Sequence, residues 1–370
     1  MSFKDIIKQY EDFNIKDHFS KVTLEDVDKS LKKDKLSEND LLNLLSPVAA
    51  ERIEEMAQLS HKKTVQYFGR TISLYIPLYI SNYCSNGCTY CGFHAESKMK
   101  RSKLSLAEIE EQAIIISKTG IKHILFLTGE SEKATPISYL VEVVKLLKKY
   151  FPSISIEIFP MSVEDYSTLK EAGVDGLTVY QEVYDREIYK VVHPYGRKRD
   201  YDFRIETPER GAEAGFRLVN IGALFGLGDI ASEAFYTAIH AKYLDDKYPN
   251  TEIAVSLPRI NSAENEFEQE YRLDDQTFVQ YLTAFRLFLP RVGINISTRE
   301  NAEFRDNVLP LGVTRYSAGS KTEVGGYGEQ DDDNVPQFDI SDTRSVDETV
   351  KMIEEKGFQV VKKDWELINE

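Results

Sequence analysis

From residue 71 onward, short apolar runs alternate with longer amphipathic stretches. Thr71–Ile80 (TISLYIPLYI) is apolar and rich in β-branched and aromatic residues, the composition of a buried strand. A helix is expected from about Ser105 to Lys118, then a strand Ile121–Leu127 and a helix Pro136–Tyr150. Strand Ile154–Phe159, helix Val163–Ala172, strand Gly176–Tyr180 and a helix around Phe203–Ala214 continue the alternation. Leu218–Ala223, Thr251–Leu257, Gly293–Ser297 and Val313–Tyr316 read as further strands. Strands separated by helices predict a parallel sheet, and eight such units predict a (β/α)8 barrel, an α/β fold. Residues 1–70 read as helical instead: Ser37 precedes Leu41, Leu42, Leu44 and Leu45, Ser46-Pro47 offers a helix start, and Ile53, Met56 and Ala57 recur at helical spacing. The expected organisation is a helical N-terminal extension (1–70), a barrel (71–320), and a C-terminal loop and helix covering the barrel (321–370). Within that last part, 325–342 reads as an acidic loop and 345–356 as a helix.

Composition narrows the partners. Lys+Arg 46 against Asp+Glu 61 gives a net charge of −15. That balance argues against a general nucleic-acid or anionic-membrane surface. The N-terminus has no signal-peptide apolar core, and no apolar run approaches the length of a membrane span. A cytoplasmic protein is expected.

All three cysteines of the chain, Cys84, Cys88 and Cys91, lie within eight positions, spaced C-x3-C-x2-C, just past the first strand. An odd count without a secretory signal argues against disulfides. One reading is a closed zinc site with His94 as fourth ligand. The other is a [4Fe-4S] cluster with three cysteine ligands and one open iron position. Zinc sites more often split their ligands into two separated pairs, which favours the cluster.

Barrel active sites sit at the C-terminal ends of the strands, so polar residues there become candidates. Thr128-Gly129-Glu130 follows the second strand; its glycine permits close backbone approach and its glutamate is an anionic acceptor. Glu182 follows the fourth strand. Arg204 and Arg210 lie in the next helix and could clamp a carboxylate. Ser297 and Arg299 end the seventh strand and Ser317 the eighth, an arrangement suited to a free amino acid's carboxylate. His193 reads as a structural hydrogen-bonder.

The C-x3-C-x2-C motif with Tyr90 before its last cysteine resembles the signature of the radical S-adenosylmethionine (SAM) superfamily. The resemblance implies that Cys84, Cys88 and Cys91 ligate a [4Fe-4S] cluster. Its open iron would chelate SAM, which is cleaved to methionine and a hydrogen-abstracting 5′-deoxyadenosyl radical. Thr128-Gly129-Glu130 is similar to the element that holds the SAM amino group, the Gln181-Glu182 pair to a SAM-proximal polar pair, and Arg204, with Arg210 second, to an arginine that contacts the SAM carboxylate. The Gly222–Gly228 stretch resembles the strand along the adenosine. Ser297-Thr298-Arg299-Glu300 and Ser317-Ala318-Gly319-Ser320 resemble the aromatic-amino-acid lyases of that superfamily, and the tail Pro336–Ser345 with 361–365 resembles its tyrosine-lyase branch, the 2-iminoacetate synthases of thiamine synthesis; with Tyr83-Cys84-Ser85-Asn86 and Thr128-Gly129-Glu130 the resemblance runs nearly end to end.

That branch implies cleavage of L-tyrosine between Cα and Cβ to 2-iminoacetate (dehydroglycine) and p-cresol, with Arg299, Ser297 and Ser317 positioning the substrate. It also implies an electron donor such as flavodoxin or ferredoxin, and thiazole synthase as recipient of the product. A tryptophan lyase making 3-methyl-2-indolic acid and a non-catalytic zinc-stabilised binding module are the alternatives. The hydrogenase-maturation tyrosine lyases carry a second cluster on a cysteine-bearing C-terminal domain, whereas this chain has no cysteine after Cys91.

Overall fold

The computed structural model describes residues 2–10, 12–260, 269–328, 335–363 and 365–366. Residues 329–334 of the expected acidic loop and Asp364 of the C-terminal stretch lie outside the described residues. Eight parallel strands form the barrel: β1 (Thr71–Ser81), β2 (His123–Thr128), β3 (Ser153–Glu157), β4 (Gly176–Thr178), β5 (Leu218–Gly222), β6 (Glu252–Ser256), β7 (Gly293–Ile296) and β8 (Arg315–Ser317). They pair in chain order, and β1 closes the ring by pairing with both β2 and β8.

The expected strands are present, with shifted ends. β2 starts at His123, two residues later than expected, and the sheet gains a ninth strand that sequence periodicity did not reveal. This β9 (Gln359–Val361) adds in parallel to the start of β1, and the Lys122 N–H donates to the Lys362 carbonyl (2.8 Å). The first residues of β1 alternate between buried and half-exposed, while its last six are all buried. It therefore changes from a one-sided to a two-sided strand as it enters the barrel. β4 is assigned only to Thr178, yet its ladder to β5 runs on through the Val179 and Gln181 N–H groups (3.0 Å each) to Glu182, whose φ of 71° is the one positive φ of a non-glycine among the described residues. The helix expected around 203–214 is two, Tyr201–Ile205 and Thr207–Glu213, broken where Pro208 cannot donate to the preceding turn.

The N-terminal helices pack on the outside of the barrel. Leu41, Leu42, Leu44 and Leu45 are all buried, and the Gln280 amide donates to the carbonyls of Leu44 and Ser46 (both 2.8 Å). Ser37 caps its helix through a reciprocal pair of bonds with Asp40. At the other end, a buried Arg305–Asp342 pair, with Arg344 on the same carboxylate, ties the C-terminal segment to β7 and β8. The N–H groups of Ser341 and Asp342 donate to the Thr298 carbonyl (2.9 and 3.2 Å). These anchors lay Gln337 and Phe338 across the mouth of the barrel. The segment is thus a wall of the central cavity as well as an acidic loop.

Candidate active site

The loop after β1 carries the three cysteines. Its fold is set by hydrogen bonds to neighbouring loops: Ser85 N–H to the Glu130 carbonyl (3.1 Å), Gly87 N–H to the Tyr195 carbonyl (3.2 Å) and Thr89 N–H to the Val192 carbonyl (3.1 Å). Cys84, Cys88 and Cys91 line one cavity together with Thr128, Gly129 and Glu130. Burial pushes all three thiols up in pKa, while Lys198 opposes this at Cys88 and Cys91. Bare thiolates are therefore disfavoured there, and a cationic metal centre would supply the missing charge. Among the described residues, no three Cys, His, Asp or Glu side chains converge as on a single ion. Three thiols on one shared cavity are the donor set a three-cysteine cluster would need.

The SAM candidates gather around that cavity. Arg204 is buried and donates to Glu130 Oε1 (2.6 Å) and to the Tyr180 carbonyl (2.8 Å). It also lies 3.7 Å from Glu182 Oε1, which accepts from Lys198 Nζ at 2.7 Å. Asn86 donates to Glu130 Oε2 (2.8 Å) and accepts from the Lys198 N–H (3.0 Å). Burial would raise the Glu130 carboxyl, but Arg204 and Lys198 hold it below its ordinary value. Two buried carboxylates and two buried cations thus compensate one another.

The site also has features of a cradle for a polar ligand. The Thr128 hydroxyl, on the cysteine cavity, is buried without a partner, whereas Gln181, whose amide is also unpartnered, lines neither this cavity nor the one along the barrel axis. A Cβ on Gly129 would lie 2.4 Å from the Tyr83 carbonyl oxygen, so the backbone there approaches as only glycine allows. This hydroxyl and the paired charges fit the ammonium, carboxylate and hydroxyls of SAM.

Tyr90 and His193 are linked, Oη to Nε2 at 2.8 Å, and His193 Nδ1 lies 2.9 Å from the Tyr189 carbonyl. Burial holds His193 well below its usual pKa. The neutral ring therefore donates through Nδ1 and accepts the tyrosine proton at Nε2. His193 is the structural hydrogen-bonder the sequence suggested, and what it fixes is Tyr90.

A second cavity, about 1220 Å³ including its open mouth, runs from this region down the barrel axis. Both cavities share Cys91, Glu157, Glu182, Lys198, Tyr79 and Gln337. Arg299, Ser317 and Thr298 line the wall at β7 and β8. The Arg299 guanidinium stacks on the Phe338 ring, 3.4 Å from its centroid.

Two sequence candidates sit elsewhere. Ser297 accepts from the Arg299 N–H (3.4 Å) as part of the turn after β7 and does not line the cavity; Thr298 takes that place, its N–H donating to Ser317 Oγ (3.1 Å). β7 ends at Ile296, so Ser297 and Thr298 lie in the turn after it, where position along the strand no longer decides which side chain faces the cavity. Arg210 stacks on Phe203 and donates to the carbonyls of Met161 (2.8 Å) and Phe203 (2.6 Å), bracing its own helix away from both cavities.

Three residues of the site escaped sequence reasoning. Lys198 lies in a basic turn that reads as surface. Gln337 joins the cavities: Tyr79 Oη donates to its Oε1 (2.9 Å) and its Nε2 reaches Cys91 Sγ (3.6 Å). Glu157 ends β3, and burial, reinforced by Glu182, raises its carboxyl to about 7 against the pull of Arg299, Lys198 and Arg204. The available signal for Glu157 was its position: an acid at a strand's C-terminal end in a barrel.

Fold and cysteine loop together define a radical SAM barrel enzyme. The superfamily model "Radical SAM superfamily" matches residues 78–236 and the "Biotin and Thiamin Synthesis associated domain" matches residues 256–359. The chain is 37% identical over 366 residues to the 2-iminoacetate synthase of Salmonella typhimurium, covering 99% of this chain and 97% of that one. It is 36% identical, with the same coverage, to the 2-iminoacetate synthase of Escherichia coli K12. The chain belongs to the 2-iminoacetate synthase family. Among solved structures, HydG, a maturase of the [FeFe]-hydrogenase, superposes with a TM-score of 0.89 at 30% identity, covering 95% of this chain and 80% of that one. Methylornithine synthase (PylB) shares the fold, with a TM-score of 0.73 at 22% identity, 91% of this chain and 97% of that one. No helix among the described residues is long and apolar enough to cross a membrane.

Proposed function

We propose that this protein is a tyrosine lyase, cleaving the Cα–Cβ bond of L-tyrosine to 2-iminoacetate and p-cresol for the thiazole of thiamine. The observation that carries the reading is the continuity of the two cavities: the space lined by the three thiols opens into the space lined by Arg299 and Ser317. Cys84, Cys88 and Cys91 would hold a [4Fe-4S] cluster. Thr128, Gly129, Glu130, Glu182 and Arg204, with Tyr90 fixed by His193, would hold SAM. Together the cluster and SAM supply hydrogen abstraction from the substrate.

The chain's own residues bind and orient. Arg299, with the Ser317 and Thr298 hydroxyls on the same wall, receives the tyrosine carboxylate by charge-assisted hydrogen bonds. That grip turns the α-amino group toward the SAM side, where Glu157 and Glu182 offer acceptors. The aromatic ring is left in the barrel axis among Tyr75, Leu125 and Tyr180. Fixing both ends of a small amino acid converts encounter into position, worth orders of magnitude in rate. Phe338 and Gln337 cover the mouth and keep water from the reacting centre. An electron donor such as flavodoxin or ferredoxin and thiazole synthase as recipient belong to this proposal, as does a cytoplasmic location.

The test is anaerobic. The protein is reconstituted with iron and sulfide, supplied with SAM and a reductant, and assayed with tyrosine and separately with tryptophan. Appearance of p-cresol and 5′-deoxyadenosine with tyrosine is the expected result. Consumption of tryptophan alone would move the protein to the indole-forming lyases. Zinc copurifying with no cluster would sink the enzyme reading.

A further inference from the structure

The C-terminal segment touches the cysteine loop through one side chain. Gln337 lies 246 positions from Cys91 in the chain, yet its Nε2 is 3.6 Å from Cys91 Sγ, a hydrogen-bond distance for the larger sulfur atom. The approach is built in from both sides. On the loop, Gly92 follows Cys91, and a Cβ there would lie 2.7 Å from the Gln337 carbonyl oxygen and 3.5 Å from that of Pro336. A side chain at that position would force the two backbones apart. On the segment, the Gln337 N–H donates to the Thr322 carbonyl (3.1 Å), and the Thr322 hydroxyl donates to the Phe338 carbonyl (2.9 Å). Thr322 thus holds the backbone on either side of the Gln337 side chain.

The direction of that side chain is fixed as well. An amide has an acceptor end and a donor end, and its neighbours decide which faces where. The Tyr79 hydroxyl donates to Gln337 Oε1 at 2.9 Å. The Tyr79 ring is buried and packs edge-on against Phe93, with centroids 5.9 Å apart, so the hydroxyl is held in place. With the oxygen engaged by that O–H, the NH2 end is left to the sulfur. Backbone N–H groups reach the sulfurs too, those of Asn86 and Glu130 at Cys84 and that of Phe93 at Cys91. These belong to the loops nearest the cysteines, whereas Gln337 is brought in by the tail.

We propose that Gln337 is a positioning residue for the cluster, donating an N–H···S hydrogen bond to Cys91 that makes the cluster easier to reduce. The inference rests on the cluster reading of the three cysteines. Reduction adds one negative charge, which spreads onto the thiolate ligands. A donor aimed at a thiolate stabilises that form more than the oxidised one, and hydrogen bonds to the sulfurs help set the potential. The donor sits on the segment that lays Phe338 against Arg299 across the mouth. The N–H therefore reaches the sulfur when the substrate cavity is covered, the state in which a radical is shielded from water.

A segment that only keeps water out would act with the opposite sign. Losing such a cover would wet the cluster, and water favours the more highly charged, reduced form. The potential would then rise. Losing an N–H···S bond lowers it, so the sign of the change separates the two roles.

The experiment is a redox titration of the reconstituted protein followed by electron paramagnetic resonance, first without SAM and then with it. The variants are Gln337→Leu, which keeps the bulk and removes the donor, and Tyr79→Phe, which keeps the ring on Phe93 and frees the amide to turn. The reduction equilibrium constant of the SAM-free Gln337→Leu protein should fall about tenfold, a potential about 59 mV lower for one electron. Tyr79→Phe should shift it in the same direction by less. An unchanged or raised potential in Gln337→Leu would overturn the proposal. If that variant assembles no cluster, an unchanged or raised potential in Tyr79→Phe overturns it instead. A shift seen only with SAM bound would assign Gln337 to the cosubstrate and overturn it too. Zinc in place of a cluster in the wild type would sink the cluster reading and this proposal together. Wild-type formation of p-cresol alongside unshifted potentials in both variants would sink this proposal alone.

Discussion

The two sides of the barrel mouth are built differently. On the cysteine side, Glu130, Arg204, Glu182, Lys198 and Asn86 form a closed network in which each charge meets an opposite charge or a fixed donor. On the β7–β8 side, Arg299 lies flat on Phe338 and the neighbouring hydroxyls are held by turn hydrogen bonds. The first arrangement is preorganised for one ligand with charges of both signs. The second is an arginine on an aromatic shelf, able to meet one carboxylate. A site that binds a constant cosubstrate and a selected amino acid needs both: rigid electrostatics for one, a simple anchor plus shape for the other.

The largest effect is expected on the rigid side. Arg204→Ala leaves Glu130 and Glu182 buried with a cation removed, a loss of about 3–5 kcal/mol when one partner of a buried pair is deleted. SAM binding, measured by equilibrium dialysis on the reconstituted protein, should weaken at least a hundredfold. Wild-type SAM affinity in that variant would make the network a scaffold instead of a binding site. On the other side, Arg299→Ala should lower kcat/KM for tyrosine by about 10–100-fold, the scale of a lost hydrogen bond to a charged group. The cluster and SAM binding should survive it. Unchanged turnover would remove Arg299 from the substrate's carboxylate.

The same contrast governs what could be read from the chain. The cysteine side was legible because its chemistry is local. Three thiols fall within eight residues, and Thr128-Gly129-Glu130 sits directly at a strand end. The barrel was legible because β/α alternation is periodic. Lys198 and Gln337 were not: each reaches the cavity through a tertiary anchor, the Asn86 bond for Lys198 and the Arg305–Asp342 pair that lays the tail over the mouth for Gln337. Ser297 was misplaced by one residue because strand alternation ends before it, and Arg210 because helical spacing does not say which carbonyls a long side chain will find. β9, three residues long, is too short for periodicity to register.

Glu157 lies between the two sides and sharpens the comparison. Its carboxyl titrates at about 7, raised by burial and by Glu182. It is therefore neutral below that pH and an anion above it, when an acceptor for the substrate ammonium is wanted. Glu157→Gln should remove an ionisation near 7 from the pH dependence of kcat/KM, with the larger deficit on the alkaline side. An unaltered pH profile would place Glu157 among the structural residues.

The smallest effect on activity concerns a carboxylate that, unlike Glu130, pairs with no cation among the described residues. Glu233 is 1% exposed and accepts from the Tyr184 N–H at 2.8 Å, two residues beyond the left-handed turn at Glu182. Burial raises its carboxyl to about 8. The folded state then keeps a proton that the unfolded chain releases near its ordinary value of 4.5. Because the native state binds more protons across that window, its stability falls as pH rises from roughly 4.5 to 8. Glutamine keeps the acceptor for Tyr184 and carries no charge. Glu233→Gln should thus come close to the wild type near pH 5 and gain on it by about 3–4 kcal/mol by pH 8 in denaturant unfolding. A variant less stable than the wild type at pH 8 would mean that the carboxylate is held by more than the backbone N–H groups of Tyr184 and Asp185 at this turn, and that the turn presenting Glu182 is compensated like the Arg204 network.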